Sequence, residues 1–179
     1  KKNQNSSTGL VSDWCNSSGG TVDRNGSGTG KFGYDAARTP WRVTLDYLWF
    51  GTPAAKSITA PVVAWIRKTT GEGFAGVAAE YSQSGATTAD WSNILYMGAF
   101  ATPGLTDATN QDWVNDGALL IASKPGENYY NTSWKILYQL TLSGNFQNLW
   151  TNPVGVAKGR DGRRVPEGWK VSSRGQQVV

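Results

Sequence analysis

Residues 32–51 read FGYDAARTPWRVTLDYLWFG, and this stretch decides the fold around it. The pair Thr39-Pro40 predicts the start of a helix, because threonine caps helix N-termini and proline fits the first helical position. Gly51 predicts its end, since glycine readily adopts the left-handed conformation that closes many helices. Between them, large apolar residues recur at helical spacing: Trp41, Leu45, Leu48 and Trp49. The stretch therefore predicts a helix with one apolar face and a carboxylate, Asp35, just before it.

Four further segments carry the same helical pattern. They are expected at about 54–68, from Asp90-Trp91 to near Pro103, at about 108–122 and at about 131–143. Pro61 lies inside the first of these segments and is expected to kink it. Alternation typical of strands is scarce, and residues 1–33 have the serine, asparagine and glycine clusters of a loop region. Five helices joined alternately by short and long connections predict stacked helical hairpins, so the predicted fold class is all-α.

The composition is rich in aromatic residues and poor in charge. Nine Trp, seven Tyr and 22 Gly accompany only 17% charged residues. Aromatic rings offer flat contact area that suits the C–H faces of sugars. A carbohydrate-binding surface is therefore one interpretation, and a tryptophan-rich core is the other.

Missing residue types exclude several kinds of site. The chain has no His, which excludes a Ser-His-Asp or Cys-His arrangement and any zinc site that uses imidazole. Its single cysteine, Cys15, excludes an internal disulfide and a multi-cysteine metal cluster. Proton transfer would then fall to carboxylates, lysine or tyrosine, and no metal or cofactor is predicted. There is neither an apolar run long enough for a membrane span nor a signal peptide at the beginning of the sequence.

The positive charge is concentrated at one end of the chain. Residues 1–150 hold 11 Lys/Arg and 11 Asp/Glu, whereas residues 151–179 hold six Lys/Arg against two acids, a net charge of +4. This distribution predicts one main domain at 1–150 and a basic tail, containing Gly and Pro, at 151–179. A basic tail can bind nucleic acid, but no recognition module accompanies it. A solvated extension is therefore preferred, and no nucleic-acid partner is predicted.

The stretch at 32–51 resembles the (Y)DAxRxxWRxxxDYxWFG motif of glycoside hydrolase family 8. Two flanking segments also resemble bacterial endoglucanases of that family: TGLVSDWC at 8–15 and YYNTSWKILYQLTLSGNF at 129–146. The three segments occur in the order and spacing of the family, so the resemblance covers about residues 8–150.

The resemblance implies an (α/α)6 barrel, built from six inner and six outer helices, of which this chain would be the C-terminal portion. The first, third and fifth helices would be inner helices, with the substrate cleft where inner helices begin. The remaining N-terminal part of the catalytic domain, as a separate chain or a missing segment, is the expected partner. The resemblance also implies a secreted protein, extracellular or periplasmic.

Family membership would further imply hydrolysis of internal β-1,4 bonds in a polysaccharide with inversion at the anomeric carbon. Cellulose-type or mixed-linkage glucan is the expected substrate. Such enzymes need two carboxyl groups about 6.5–9.5 Å apart, one acid and one base. By resemblance Asp35 is the general base, whereas the glutamate that serves the family as general acid has no counterpart in this chain. The helical pattern alone offers another interpretation, in which Asp35 only complements the helix dipole.

The resemblance extends to the residues around Asp35. Arg38 is expected to contact the sugar and to orient the base, although a purely structural pair with Asp35 or Asp46 is nearly as well supported. Tyr34 and Tyr130 are expected in the substrate cleft, together with Tyr129. Asp13 either lines the cleft or stabilises a turn.

Other functions remain compatible with these residues. The family also includes xylanases and chitosanases. A non-catalytic carbohydrate-binding module would explain the aromatic composition. A fragment that serves only assembly, with its chemistry on a partner chain, is the remaining alternative.

Overall fold

The structure of this protein is a computed structural model, which describes residues 2–22, 30–71 and 73–149. It contains five α-helices: α1 (Arg38–Phe50), α2 (Pro53–Thr70), α3 (Ile94–Ala101), α4 (Gln111–Ser123) and α5 (Tyr129–Leu142). Short 3-10 turns lie at Phe74–Gly76, Thr102–Thr106 and Ala108–Asn110. The prediction of an all-α fold with five helices is confirmed, and the predicted basic tail at 151–179 lies outside the described residues.

Helix α1 begins at Arg38, so the prediction that Thr39 is its N-cap was wrong. The turn before the helix already has helical geometry, with Ala37 at φ −58 and ψ −20. The amide of Ala37 donates to Gly33 O at 2.9 Å, which extends this turn directly into the helix. The end of α1 is as predicted, because Gly51 adopts φ 67 and donates its N–H to Tyr47 O at 2.8 Å.

The other helix boundaries differ from the predictions by a few residues. Helix α2 continues through Pro61. Helix α3 begins at Ile94 and not at Asp90-Trp91, because Asn93 caps it by accepting from the amide of Tyr96. Helix α5 begins earlier than predicted, at Tyr129, because the side chain of Asn128 accepts from the amide of Asn131 at 2.9 Å.

Four strands of two residues each join the loop regions to the helices. Strands β1 (Trp14–Cys15) and β2 (Thr21–Val22) pair antiparallel, with Trp14 opposite Val22. Strands β3 (Lys31–Phe32) and β4 (Tyr81–Ser82) also pair antiparallel, with Phe32 opposite Tyr81. The second pair positions the segment that leads into α1.

Helix α3 lies at the centre of the hydrophobic core. Every residue from Ile94 to Ala101 is buried, which explains why its sequence, ILYMGAFA, is apolar on all sides. Gly98 allows the closest approach, since a Cβ atom at this position would lie 2.0 Å from the ring of Tyr138 on α5. Tyr138 is itself buried and donates its hydroxyl hydrogen to Leu95 O at 3.0 Å.

Aromatic side chains also join α1 to α5. The indole of Trp41 on α1 donates to Thr141 Oγ1 on α5 at 2.8 Å, and its ring centroid lies 5.3 Å from that of Trp134. Trp41 and Trp134 are both buried, as a core role requires. The hydrogen bond connects residues 100 positions apart in the chain.

Several large apolar side chains remain exposed on α4, on α5 and at the end of α1. Leu119 on α4 is 51% exposed, Ile136 on α5 is 54% exposed, and Phe50 at the end of α1 is 58% exposed. Among the residues described, no helix is long and apolar enough to cross a membrane.

Candidate active site

The beginnings of α1, α3 and α5 meet at one end of the structure. Tyr34 precedes α1, Trp91 precedes α3, and Tyr130 lies in the first turn of α5. The ring centroid of Tyr34 lies 6.3 Å from that of Trp91 and 6.1 Å from that of Tyr130. The side-chain amide of Asn93, which caps α3, donates to the hydroxyl of Tyr34 at 3.0 Å. Three partly exposed aromatic rings thus lie side by side, and Asp35 directly follows the central one, Tyr34, in the chain.

Arg38 holds Asp35 through two contacts. Its Nη2 donates to Oδ1 of the carboxylate, and its Nε donates to the backbone carbonyl of Asp35 at 3.3 Å. The side chain of Asp35 is 39% exposed and that of Arg38 is 30% exposed, so both are accessible to solvent. Oδ2 of Asp35 has no partner within the described part of the chain and is therefore free to accept a hydrogen bond. The guanidinium forms a charge-assisted hydrogen bond with the carboxylate and thereby orients it.

Asp13 lies beneath the segment that carries Tyr34 and Asp35. Its Oδ1 accepts from the amide of Gly33 at 3.0 Å and from the amide of Ala36 at 2.7 Å. Burial raises the pKa of Asp13 above its ordinary value, although these two hydrogen bonds act in the opposite direction. Position 33 has no room for a side chain, because a Cβ atom there would lie 2.3 Å from Oδ2 of Asp13.

Tyr96 forms the floor under the aromatic rings. Its side chain is completely buried, and its ring meets Tyr34 edge-on at 5.5 Å and Trp91 edge-on at 6.0 Å. Its hydroxyl has no hydrogen-bond partner among the described residues. Burial raises the pKa of Tyr96 above its ordinary value, so the phenol stays neutral.

The two tyrosines at the start of α5 differ in their surroundings. Tyr130 is 38% exposed and packs between Tyr34 and Trp134, with its ring centroid 6.4 Å from that of Trp134. Tyr129 is 90% exposed and has no ring partner in the described residues. Tyr130 therefore has a position fixed by packing, whereas Tyr129 projects from the surface.

The structure brings four of the six residues predicted from sequence together. Tyr34, Asp35, Arg38 and Tyr130 come together, whereas Asp13 contacts the backbone below them and Tyr129 stands apart. Sequence reasoning missed Trp91, because it was assigned to the first turn of a helix. The asparagine two residues later, a common N-cap type, was the signal that the helix begins after it.

Comparison with known proteins identifies the family. The model of Glycosyl hydrolases family 8 matches residues 1–144. The chain belongs to this family. It is 31% identical to an endoglucanase of Bacillus sp. (strain KSM-330), over 70% of this chain and 26% of that protein. It is 30% identical to a beta-glucanase of Niallia circulans, over 82% of this chain and 36% of that protein.

Solved structures agree with this assignment. A beta-1,3-1,4-glucanase from Paenibacillus sp. X4 matches with a TM-score of 0.72 at 29% identity, covering 79% of this chain and 39% of that one. A family 8 enzyme from Teredinibacter turnerae, in complex with xylobiose, matches with a TM-score of 0.68 at 20% identity, covering 82% and 37% of the two chains. The fold is therefore that of part of an (α/α)6 barrel. The chain spans between a quarter and two-fifths of the length of these relatives.

Proposed function

We propose that this chain provides the general base and one wall of the substrate cleft in an inverting endo-β-1,4-glycanase. The observation that carries the proposal is the ion pair of Asp35 with Arg38, which leaves one carboxylate oxygen free in the residue that follows Tyr34, the central ring of a partly exposed aromatic row. An ionised carboxylate with a free oxygen can accept a proton from water. Flat aromatic rings beside it can bind sugars.

The chemistry follows from inverting glycoside hydrolysis. Oδ2 of Asp35 accepts a proton from a water molecule, whose oxygen attacks the anomeric carbon opposite the leaving group. The glycosidic bond breaks as a carboxylic acid on the other side of the sugar gives its proton to the leaving oxygen. Arg38 holds Oδ1 and the backbone carbonyl of Asp35, so it fixes the direction in which Oδ2 points. The tyrosines Tyr34 and Tyr130 hold the sugar at this place.

The proton donor comes from outside this chain. Asp13 uses one oxygen to bind two backbone amides, and Glu80 forms an ion pair with Lys31. Asp13 and Glu80 therefore already have partners. The missing part of the barrel, N-terminal to this chain in the family's domain, supplies the acid. Leu119 and Ile136 are exposed apolar residues that such a part would cover.

Glucan is the proposed substrate because the chain is similar to an endoglucanase, a beta-glucanase and a beta-1,3-1,4-glucanase, each at about 30% identity. Xylan and chitosan are the alternatives within the family. A carbohydrate-binding module without catalysis is less well supported, since the fold belongs to a catalytic domain. A polymeric substrate also places the enzyme outside the cytoplasm, in the periplasm or the medium.

The direct test is release of reducing sugar from carboxymethyl cellulose, mixed-linkage glucan, xylan and chitosan. The chain is assayed alone and together with the N-terminal part of a family 8 catalytic domain. We expect activity only in the second case, on glucan first. Nuclear magnetic resonance of the first product should show the α-anomer released from a β-linkage.

Asp35→Asn tests the assignment of the base. We expect a loss of about 10²–10⁴ in rate, because the amide keeps the shape but cannot accept the proton. Asp46→Asn is the matched control, since Asp46 lies later on the same helix and accepts from Thr52 Oγ1 at 3.1 Å. Equal rates for the Asp35→Asn variant and the parent would assign the base elsewhere.

A further inference from the structure

Trp91 is an exposed aromatic residue that the mechanism above does not use. It is 44% exposed and lies at one end of the aromatic row, next to Tyr34. Large aromatic side chains that are exposed beside other aromatic and polar groups are typical of binding surfaces. Its surroundings show which ligand it fits.

The backbone on both sides of Trp91 is fixed. The carbonyl of Trp91 accepts from the amide of Ala79 at 2.7 Å. Two residues later, Asn93 is buried, caps α3 and donates to the hydroxyl of Tyr34 at 3.0 Å. The segment therefore cannot fold the indole away from the cleft without breaking these contacts.

The ring itself is supported from below and from one side. Tyr96 meets it edge-on from the core, and Tyr34 lies beside it with an interplanar angle of 34°. Within the described part of the chain, Nε1 of Trp91 has no hydrogen-bond acceptor, whereas Nε1 of Trp41 and of Trp113 donate within the fold. Trp91 thus presents one apolar face and one unused donor to solvent.

We propose that Trp91 forms a sugar-binding subsite, in which one pyranose ring of the β-1,4-linked glucan stacks on the indole next to the sugar held at Tyr34 and Asp35. The proposal rests on the proposed function for the nature of the chain that is bound. The equatorial substituents of a β-1,4-linked glucose leave C–H groups on both faces of its ring, and these pack on an aromatic face. A sugar hydroxyl accepts the hydrogen bond from Nε1. Trp91 is then a binding residue that selects substrates long enough to reach it.

The exposed ring has one other explanation, namely that the missing part of the barrel covers it. In that case Trp91 contributes to folding and not to binding. The two explanations differ in what removal of the ring changes: affinity for long oligosaccharides or thermal stability.

The test is isothermal titration calorimetry on the complete catalytic domain, that is, this chain together with the part of the barrel that it lacks. Asp35→Asn is the background, so that ligands stay intact. The ligands are β-1,4-linked glucose oligosaccharides of increasing length, from two to six units. We expect Trp91→Ala to weaken binding of the longest ligand about tenfold and of the disaccharide much less. Trp91→Phe keeps a ring but loses the donor, so its affinity for the longest ligand should lie between those of the parent and of Trp91→Ala.

Phe50→Ala is the matched control, because Phe50 is a similarly exposed aromatic residue at the far end of α1. It should leave every affinity unchanged, and the melting temperature of each variant shows whether it folds. Equal affinities for Trp91→Ala and the parent would overturn the subsite, as would a loss that is the same for all ligand lengths. Both of these results concern binding alone, so neither tests whether the domain hydrolyses glucan. Failure of the proposed function is recognised separately, by absence of glucan, xylan and chitosan hydrolysis in the unmutated domain.

Discussion

Oδ1 of Asp13 accepts the amide hydrogen of Ala36 at 2.7 Å. The same oxygen accepts from the amide of Gly33 at 3.0 Å, so the two hydrogen bonds enclose the pair Tyr34-Asp35. A residue that precedes Ala36 by 23 positions thereby fixes the backbone that carries the proposed base. The contact explains how an acid in a loop can determine where another acid points.

Asp13→Ala should destabilise the protein and lower its activity. Removing the carboxylate leaves two amides without their acceptor, which costs about 1–3 kcal/mol in the free energy of unfolding. Because the loop then moves Asp35, we expect kcat to fall more than KM rises. Asp13→Asn keeps an acceptor oxygen and should retain most of both. Chemical denaturation and steady-state kinetics measure the two effects, and equal behaviour of the two variants would contradict the hydrogen-bonding role.

The ionisation of Asp13 should also affect stability. Burial raises its pKa above the usual 3.8, so the folded protein holds this proton more tightly than the unfolded chain does. This contribution is complete below about pH 4 and is lost as the pH rises through the raised pKa. Asp13→Asn should therefore remove this component from the dependence of melting temperature on pH.

Gly33→Ala should disturb the same contact from the other side. The added methyl group would lie 2.3 Å from Oδ2 of Asp13, so one of the two segments has to move. Overpacking of this kind costs about 1–3 kcal/mol. Gly73→Ala is the control, because the nearest atom to its Cβ, Thr70 O, is 3.6 Å away. The melting temperature should fall for Gly33→Ala only; a similar fall for both variants would point to a general effect of alanine at these positions.

Arg38→Lys should lower kcat although the positive charge remains. Lysine lacks the planar fork through which Arg38 reaches the carboxylate with Nη2 and the backbone carbonyl of Asp35 with Nε. We expect a fall of about tenfold or more, since small errors in the position of a catalytic group are costly. Arg42→Lys, at an exposed position of the same helix, should have no effect. Full activity of Arg38→Lys would mean that charge alone is needed.

Tyr130→Ala should weaken substrate binding more than folding, because the ring of Tyr130 is partly exposed and faces Tyr34. The expected loss in kcat/KM is about tenfold. Tyr130→Phe retains the ring and should preserve most of the activity. A lower melting temperature with unchanged kinetics would instead make Tyr130 a core residue.

The ion pair of Lys56 with Asp107 should weaken in acid. The hydrogen bond from Lys56, and those from Thr109, lower the pKa of Asp107 to about 2. The folded state therefore favours the ionised form, and this contribution is present above the ordinary value of 3.8 and is lost as the pH falls towards 2. Both side chains are substantially exposed, at 43% for Lys56 and 38% for Asp107, so the effect is small and falls with added salt. Asp107→Asn should flatten the melting temperature in this range, and an unchanged curve would contradict the assignment.

The sequence predicted the fold class because apolar residues recur at helical spacing in all five helices. Helix α3 shows the limit of that signal, since it is apolar on every side and its sequence does not indicate where it begins. The start is set by the side chain of Asn93 and by the hydrogen bond from Ala79 to Trp91, which is a tertiary contact. Trp91 was therefore assigned to a helix although it lies in the segment before it.

For the candidate site, the motif located Tyr34, Asp35 and Arg38, which are close in sequence. Tyr130 joined them through the family resemblance, and its ring contact with Tyr34 could not have been derived from spacing. For Asp13, the sequence predicted the approximate location but not the contacts. The resemblance placed it near the cleft, but only coordinates show that its carboxylate binds the amides of Gly33 and Ala36.

The contact between Trp41 and Thr141 has a consequence for how the chain is made. The two residues are 100 positions apart. The indole N–H of Trp41 therefore has no Thr141 acceptor until nearly the whole described region has been synthesised. Domains commonly fold from the N-terminus as they emerge from the ribosome. Here the packing of α1 cannot be completed in that order, because Trp41 on its buried face contacts Trp134 of α5. A nascent chain stalled before residue 129 should therefore be recognised by chaperones, and release of the last helix should be the event that ends this exposure.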